Sequence, residues 1–335
     1  MRTVARKWRT ILCILLLLLA VALPLIVTSS YQMHLVIMTC INIMLALSFS
    51  LLYSAGLLTM AGAAFWAIGA YFSALLVMDG GFSFWVALPA SGLAAALVGL
   101  VMGVIVVRVP GVAFLIKTLV LAMIVPEVFG HFEFFGSWAG ILGIPAPERI
   151  GPLIFMRKIP YYYLGLFLLL LNIIAFQALY RSRVGRAWGA IRLNPNLAES
   201  LGINLNGYRM LAFVISSAST GIAGSFYAHY FQTLEPGMFS AFKAILIQIY
   251  SILGGLGFYI FGPVVGAAIM TFVPEMLRIS KEIEPIITGV VLIVLVIFLP
   301  GGILSIPDRF GFFRSRSAEE AGPGELLAPA GRTEG

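Results

Sequence analysis

Charge is scarce in this chain, and so are the residues that build catalytic and metal sites. Only 10% of its 335 side chains are charged, 61% are hydrophobic and the mean hydropathy is +1.03, so the segregation of polar surface from apolar core that a soluble domain needs is missing. Two cysteines, Cys13 and Cys40, both in apolar runs, offer neither a disulfide framework nor a zinc site and read as small apolar side chains. The three histidines, His34, His131 and His229, are scattered, and no H-E-x-x-H, Ser/His/Asp set or Cys/His cluster appears. An integral-membrane enzyme and a metal site are therefore unsupported. No G-x-x-x-x-G-K-[ST] loop is present, which excludes ATP binding by the P-loop mechanism; coupling to ATP has to come from another subunit, and no cofactor of its own is expected. Ionisable residues inside apolar runs, the working parts of ion-coupled carriers and pumps, are few.

What is abundant is long apolar sequence. Runs of roughly 18 or more apolar residues cross about 30 Å of hydrocarbon as helices, because only an internally bonded helix satisfies its backbone there. Ten such spans are bounded by charge, Gly or Pro: 10–28, 33–53, 57–78, 83–107, 111–130, 160–180, 208–230, 242–258, 260–278 and 284–300. The expectation is an all-α, polytopic integral membrane bundle of about ten transmembrane helices with both termini in the cytoplasm. Residues 1–307 form the transmembrane domain, and the small, polar, Pro/Gly-containing segment 308–335 is expected to be a disordered tail. The first span follows Arg2, Arg6, Lys7 and Arg9 but carries no small-x-small cleavage site, so a retained anchor is expected rather than a signal peptide.

Lysine and arginine concentrate on the cytoplasmic side of membrane proteins. With the N-terminus inside, the segments assigned to the cytoplasm carry more than twice the lysine and arginine of the opposite side. The net charge of +7 is thus mostly a topology signal, and its dispersal over loops argues against a nucleic-acid partner. Two ordered loops remain, a cytoplasmic one over 181–209 and a periplasmic one over 131–159.

The cytoplasmic loop contains "NPNLAESLG", which reads as a short capped helix: Asn194 as N-cap, Pro195 at the first helical position and Gly202 as the left-handed stop. Leu197 and Leu201, four apart, make an apolar face one turn long. Docking into a groove on another protein, resting on the bilayer surface and a plain solvated loop all fit those residues. Lys117 lies about six residues, roughly 9 Å, into its span, where it either snorkels to the cytoplasmic face or offers a cation to a carboxylate. Glu127 and His131, four apart, share a helix face and are placed to pair. The glycine- and alanine-rich stretches "LYSAGLLTMAGAAFWAIGAY" and "LGGLGFYIFGPVVGAAI" suit close helix packing, or broken backbone lining a cavity around Gly56 to Thr59; both fall on the cytoplasmic side.

The stretch "SRVGRAWGAIRLNPNLAESLGINLNGYRMLAFVISSASTGIAGSFYA" resembles the signature region of permease subunits of ABC uptake systems for branched-chain amino acids, the M-type (Liv) family. The likeness extends to "RVPGVAFLIKTLVLAM", "GILGIP", both glycine-rich stretches and "FLPGGI", in order over about residues 31 to 306. It implies a bacterial inner-membrane importer of two homologous permeases, two ABC ATPase subunits that hydrolyse ATP and a periplasmic substrate-binding protein, with residues 1–307 as the permease domain. The family's Glu-Ala-Ala-x-x-x-Gly loop pattern falls on Asn196, Leu197, Ala198 and Gly202, so Arg186, Asn194, Leu197, Glu199, Leu201 and Gly202 are the candidates for coupling to the ATPase. Thr59, Phe65, Lys117 and Thr118 are the candidates for the translocation pathway. The family's usual G-Q-L-S-L-G-H-A-A-F is here "GLLTMAGAAF", and relatives also serve urea, short amides and aromatic acids, so the substrate class stays open. An ion-coupled carrier or channel working without ATPases is the alternative.

Overall fold

A computed structural model describes residues 20–24, 29–109, 111–149, 157–255 and 259–276, with positions 155, 257, 289, 290 and 293. The expected spans 10–28 and 284–300 fall largely outside these residues, and the tail 308–335 entirely so. The described chain is a helical bundle: α1 Ser30–Ser54, α2 Gly62–Met78, α3 Phe84–Val106, α4 Val112–His131, α5 Lys158–Arg181, α6 Arg183–Leu193, α7 Pro195–Ser200, α8 Leu205–Phe231, α9 Ala241–Gly254 and α10 Phe261–Met276. Among the described residues six helical stretches are long and apolar enough to cross a membrane, namely α1, α3, α4, α5, α8 and Pro236–Gly254, which joins a short turn to α9; α2 and α10 are apolar but shorter. The fold is therefore a polytopic membrane bundle. Its outer faces carry residues such as Leu93, Leu97, Ile116, Phe167 and Ile174, all exposed, as expected where lipid is the solvent.

Three segments differ from the sequence-based expectation. The span expected over 57–78 begins as helix only at Gly62, because Gly56 takes a φ of +76° and residues 55–61 run as turn and extended chain. Broken backbone is tolerated at membrane depth only where protein encloses it. Here Leu57, Thr59 and Ala61 are buried, the Met60 N–H donates to Thr118 Oγ1 at 3.0 Å and the Ala61 N–H to Thr59 Oγ1 at 3.1 Å. The helix expected over 242–258 stops at Gly254, where Gly255 turns to a φ of +114°. The loop 181–209 is not a loop with one helical turn: it holds the eleven-residue helix α6 as well, and α8 starts at Leu205 rather than 208. The all-helical expectation also has a small exception, a two-stranded antiparallel pair of β1 Ile141–Leu142 and β2 Thr233–Leu234, with Ile141 opposite Leu234 and Leu142 opposite Thr233.

The connections sort onto two ends of the bundle. At one end the Gly56 turn lies against Arg192, and Tyr259, in the turn after α9, stacks on Tyr180 near the end of α5. At the other, the Trp85 indole N–H donates to the Glu148 carbonyl at 3.3 Å, β1 meets β2, and Lys158 Nζ donates to the Ser30 carbonyl at 2.9 Å. This division matches the alternation of the expected spans from the second to the ninth. We call them the arginine-rich end and the hairpin end.

Helix α8 runs through the middle and is gripped by α2 and α3 at near-backbone distance. A Cβ on Gly69 would sit 2.2 Å from the Gly221 carbonyl oxygen, and one on Gly224 would sit 2.2 Å from the Trp66 carbonyl oxygen. Small residues let helices approach this closely where lipid supplies no hydrophobic drive. A polar seam joins α8 to α1 and α5: Ser216 Oγ donates to the Ser48 carbonyl at 3.0 Å, Ser48 Oγ lies 3.0 Å from Ser219 Oγ, and Asn172 Nδ2 donates to Ser219 Oγ. On the far side of α1, Ser251 Oγ donates to the Ala46 carbonyl at 2.6 Å and Ser50 Oγ to the Tyr259 carbonyl at 2.8 Å.

Because Gly69 meets backbone rather than a movable side chain, Gly69→Ala is expected to destabilise the bundle by about 1–3 kcal/mol. Gly189→Ala, where nothing lies within 4 Å of the added Cβ, is expected to be neutral or slightly stabilising. Thermal unfolding of the two purified variants in one detergent, followed by loss of the monodisperse gel-filtration peak, checks both.

Candidate transport pathway and coupling surface

At the arginine-rich end, α6 and α7 form an angled pair. Helix α6 is capped by Ser182, whose Oγ accepts from the Val184 N–H at 3.1 Å and the Gly185 N–H at 3.4 Å. Its inner face, Ala187, Trp188 and Ile191, is buried, and the Trp188 indole N–H donates to the Tyr208 carbonyl in the first turn of α8 at 2.8 Å. Helix α7 has the expected caps. Asn194 Oδ1 accepts from the Leu197 N–H at 3.1 Å, and Gly202 sits at a φ of +82°. Beyond Leu201, the Gly202 N–H donates to the Glu199 carbonyl at 2.9 Å and the Ile203 N–H to the Ala198 carbonyl at 3.1 Å, the paired bonds of a Schellman stop.

These caps set out an apolar ridge. Leu197 is 57% and Leu201 73% exposed, and Leu193, at the end of α6 and four residues earlier, is 82% exposed. Ala198 turns inward. Arg186 is on the outer side, its Nη1 donating to the Arg181 carbonyl at 3.3 Å, and Glu199 is also exposed. Six proposed coupling residues thus lie on one small surface, and the structure adds Leu193. Sequence reasoning passed over α6 because its arginines were read for topology. The signal was available: Ser182 as a cap, then Val184, Ala187, Trp188 and Ile191 at helical spacing.

Arg192 connects this surface to the interior. Its guanidinium carbon lies 5.2 Å from the ring centre of Tyr53, at the end of α1, and 5.4 Å from that of Tyr259, in the turn between α9 and α10. Two ring faces on one cation exceed the usual single contact of this kind. Arg192 therefore touches the approaches to both glycine turns.

Two cavities lie one above the other between α1, α2, α8 and α9, sharing Leu45 and Ile247. The one toward the arginine-rich end, bordered by Thr59, Phe65, Ser48, Ser216 and Thr220, encloses about 10 Å³, space for about one water. The one toward Tyr227 and Met238, near the hairpin end, encloses about 210 Å³ and is bordered also by Asn42, Trp66 and Lys243. Of the sequence-derived pathway residues, Thr59 and Phe65 line the narrow cavity. Thr118 is buried but supports the broken turn through Met60, with its own hydroxyl donating to the Leu115 carbonyl at 2.9 Å. Lys117 is half-buried on α4 and borders neither cavity. The cation on a cavity is Lys243, which charge counting had spent on topology.

The hairpin end is held by a buried histidine. The His229 Nδ1–H donates to the Pro145 carbonyl at 2.7 Å, which leaves Nε2 to accept from the Ser73 hydroxyl at 3.0 Å; Ser73 Oγ is 2.7 Å from Ser225 Oγ. Pro145 closes the "GILGIP" stretch, so that motif serves to fasten the loop 140–145 onto α8 and α2. Glu127 and His131 do pair, at 3.6 Å, but both are well exposed. Among the described residues no group of three or more His, Cys, Asp and Glu could hold a metal.

The architecture is that of a multi-pass helical membrane protein whose buried polar groups face inward, two stacked cavities among them. Residues 32–300 match the family described as the permease component of branched-chain amino acid transport systems, and the chain belongs to that family. It is 30% identical over 314 residues to the high-affinity branched-chain amino acid transport system permease protein LivM of Salmonella typhimurium, covering 86% of this chain and 73% of LivM. Identity to LivM of Escherichia coli is 31% with the same coverage. A shorter likeness, 32% over 132 residues, relates 38% of the chain to 41% of LivH, the permease protein of that name from Salmonella typhimurium. No solved structure matches significantly. The relatives are transport permeases and not enzymes, and this chain is a transport component.

Removing either cap of α7 is expected to loosen the ridge without unfolding the bundle. Asn194→Ala and Gly202→Ala each remove about 1 kcal/mol of local stability, which corresponds to roughly fivefold faster amide hydrogen exchange across 197–203. Exchange elsewhere in α8 serves as the unchanged reference.

Proposed function

We propose that this chain is the membrane permease subunit of an ATP-driven ABC importer for branched-chain amino acids or related small organic solutes, working by alternating access in the bacterial inner membrane. The observation that carries the reading is the exposed ridge of Leu193, Leu197 and Leu201 on a helix pair whose inner side is fixed to α8 by Trp188 and to both glycine turns by Arg192. A ridge so placed suits docking into a groove of an ATPase subunit. In this reading the arginine-rich end faces the cytoplasm, in keeping with its Arg108, Arg181, Arg183, Arg186 and Arg192, both termini are cytoplasmic and the chain has about ten spans. Two ATPases, a second homologous permease and a periplasmic substrate-binding protein complete the system. ATP is hydrolysed by the ATPases, and no cofactor of this chain takes part.

The mechanism follows from the connections. ATPase closure pushes α6 and α7; Trp188 passes the push to the start of α8, and Arg192 passes it to the ends of α1 and α9. Both of those ends are glycine turns with positive φ, hinges that absorb a change of angle. The narrow cavity between them opens as the wider one closes.

Replacing Leu197 and Leu201 together with Asp is expected to abolish uptake and ATPase co-purification while membrane insertion stays intact; unchanged uptake would sink the docking role. Arg192→Ala is expected to leave ATPase assembly and hydrolysis in place but to lower uptake per ATP at least severalfold, with Arg192→Lys partly restoring it. In inside-out and right-side-out vesicles, dependence of uptake on ATP rather than on membrane potential separates this reading from an ion-coupled carrier or channel.

A further inference from the structure

The wider cavity has an unusual polar inventory. Trp66 is almost wholly buried, between the rings of Tyr227 at 4.6 Å and Phe239 at 4.8 Å, yet its indole N–H has no hydrogen-bond partner among the described residues. An unmade bond on a buried donor costs about 1–3 kcal/mol, so such a group points to a missing acceptor. Lys243 borders the same cavity from the first turn of α9, and no carboxylate pairs with it among the described residues. That turn starts at Ser240 without a side-chain cap, so its free N–H groups add to the positive potential.

Asn42 supplies the opposite polarity. Its Nδ2 lies 2.9 Å from Thr271 Oγ1, and the Thr271 hydroxyl is itself committed to the Ala267 carbonyl at 2.7 Å. Thr271 must therefore accept, which fixes the amide with Nδ2 toward Thr271 and leaves Asn42 Oδ1 without a partner. One wall thus offers two unpaired donors and another an unpaired acceptor, and between them the lining is apolar, with Leu45, Leu246 and Ile247.

We propose that this cavity is a substrate site for a zwitterionic α-amino acid with an aliphatic side chain: Lys243 and the Trp66 indole N–H hold the carboxylate, Asn42 Oδ1 takes the ammonium, and Leu45, Leu246 and Ile247 receive the side chain. This rests on the transport reading above and assigns its substrate a handle and a place. The volume of about 210 Å³ exceeds the one-water threshold many times over and suits a solute of about nine non-hydrogen atoms. Urea and simple amides would leave the ammonium group of Lys243 without its counter-charge, and a site built to bind a charged or hydrogen-bonding group discriminates strongly against analogues lacking it.

The test is binding to the purified full-length permease in nanodiscs, with L-leucine, L-leucinamide and 4-methylvalerate as probes, by calorimetry at millimolar ligand. L-Leucine is expected to bind, and Lys243→Met to weaken it at least tenfold, about 1.4 kcal/mol. Lys243→Arg should recover most of that loss and Trp66→Phe should lose severalfold. Leucinamide should bind weakly and be insensitive to Lys243→Met, and Asn42→Leu should weaken L-leucine but not 4-methylvalerate. Wild-type failure to bind L-leucine, or Lys243→Met weakening leucine and leucinamide equally, overturns the assignment. Each variant is compared at equal monodispersity, and Lys243→Arg separates loss of charge from loss of fold. Failure of the transport reading has a different signature: Lys243-dependent binding persists, while vesicles carrying the permease and its ATPases show no ATP-dependent uptake.

Discussion

The approach of α2 and α8 at Gly69, Gly221 and Gly224 is the contact on which the remaining architecture depends. In lipid, apolar side chains gain nothing by leaving their surroundings, so helices associate through close packing and buried hydrogen bonds. With no side chain between them, α2 and α8 lie near enough that Ser73 reaches Ser225 and His229, and that Trp66 and Tyr227 share one wall of a cavity. Widening that contact by one methyl group would move the histidine that fastens the loop 140–145, and it would move the wall of the wider cavity with it. Packing at the centre and geometry at both ends are one constraint.

A second consequence is that α2 can be short. Its first turn starts inside the protein because the preceding residues leave helical geometry at Gly56, and their backbone groups are satisfied by Thr59 and Thr118. The turn after Gly254 repeats the device with a different set of partners, the Ser50 hydroxyl on the Tyr259 carbonyl among them. Both breaks are placed beside Arg192, so the interior backbone most able to bend is also the backbone in contact with the outer helix pair.

Much of this was legible in the amino-acid sequence. Apolar length gave most of the spans, and capping chemistry located Asn194, Pro195 and Gly202 correctly to the residue, because N-cap and left-handed stop preferences are local. The family likeness over residues 32–300 was visible in the "SRVGRAWGAIRLNPNLAESLG" region and in "GILGIP". What could not be read was whatever depends on distant partners. Charge counting treated Lys243 as a loop cation, since nothing in its neighbours reveals that Asn42 and Trp66 meet it across a cavity. Lys117 drew attention because a lysine within an apolar run is conspicuous, but its helix faces it away from both cavities. The helix α6 was hidden by its own arginines, whose use as a topology signal masked the apolar spacing beneath them.

The Schellman stop at Gly202 has a kinetic corollary. A six-residue helix is far too short to be stable in isolation, yet here its ends are tied and its leucines are already set at their final angles before any partner arrives. Association then requires no folding step, so the loss of chain entropy that slows and weakens coupled folding and binding has been met in advance. The same preformed ridge makes an unassembled copy conspicuous: three bare leucines held in water are a surface that quality-control proteases and other apolar surfaces can find. Assembly with a partner would hide them, so the lifetime of this subunit in a cell should track the supply of whatever covers that ridge.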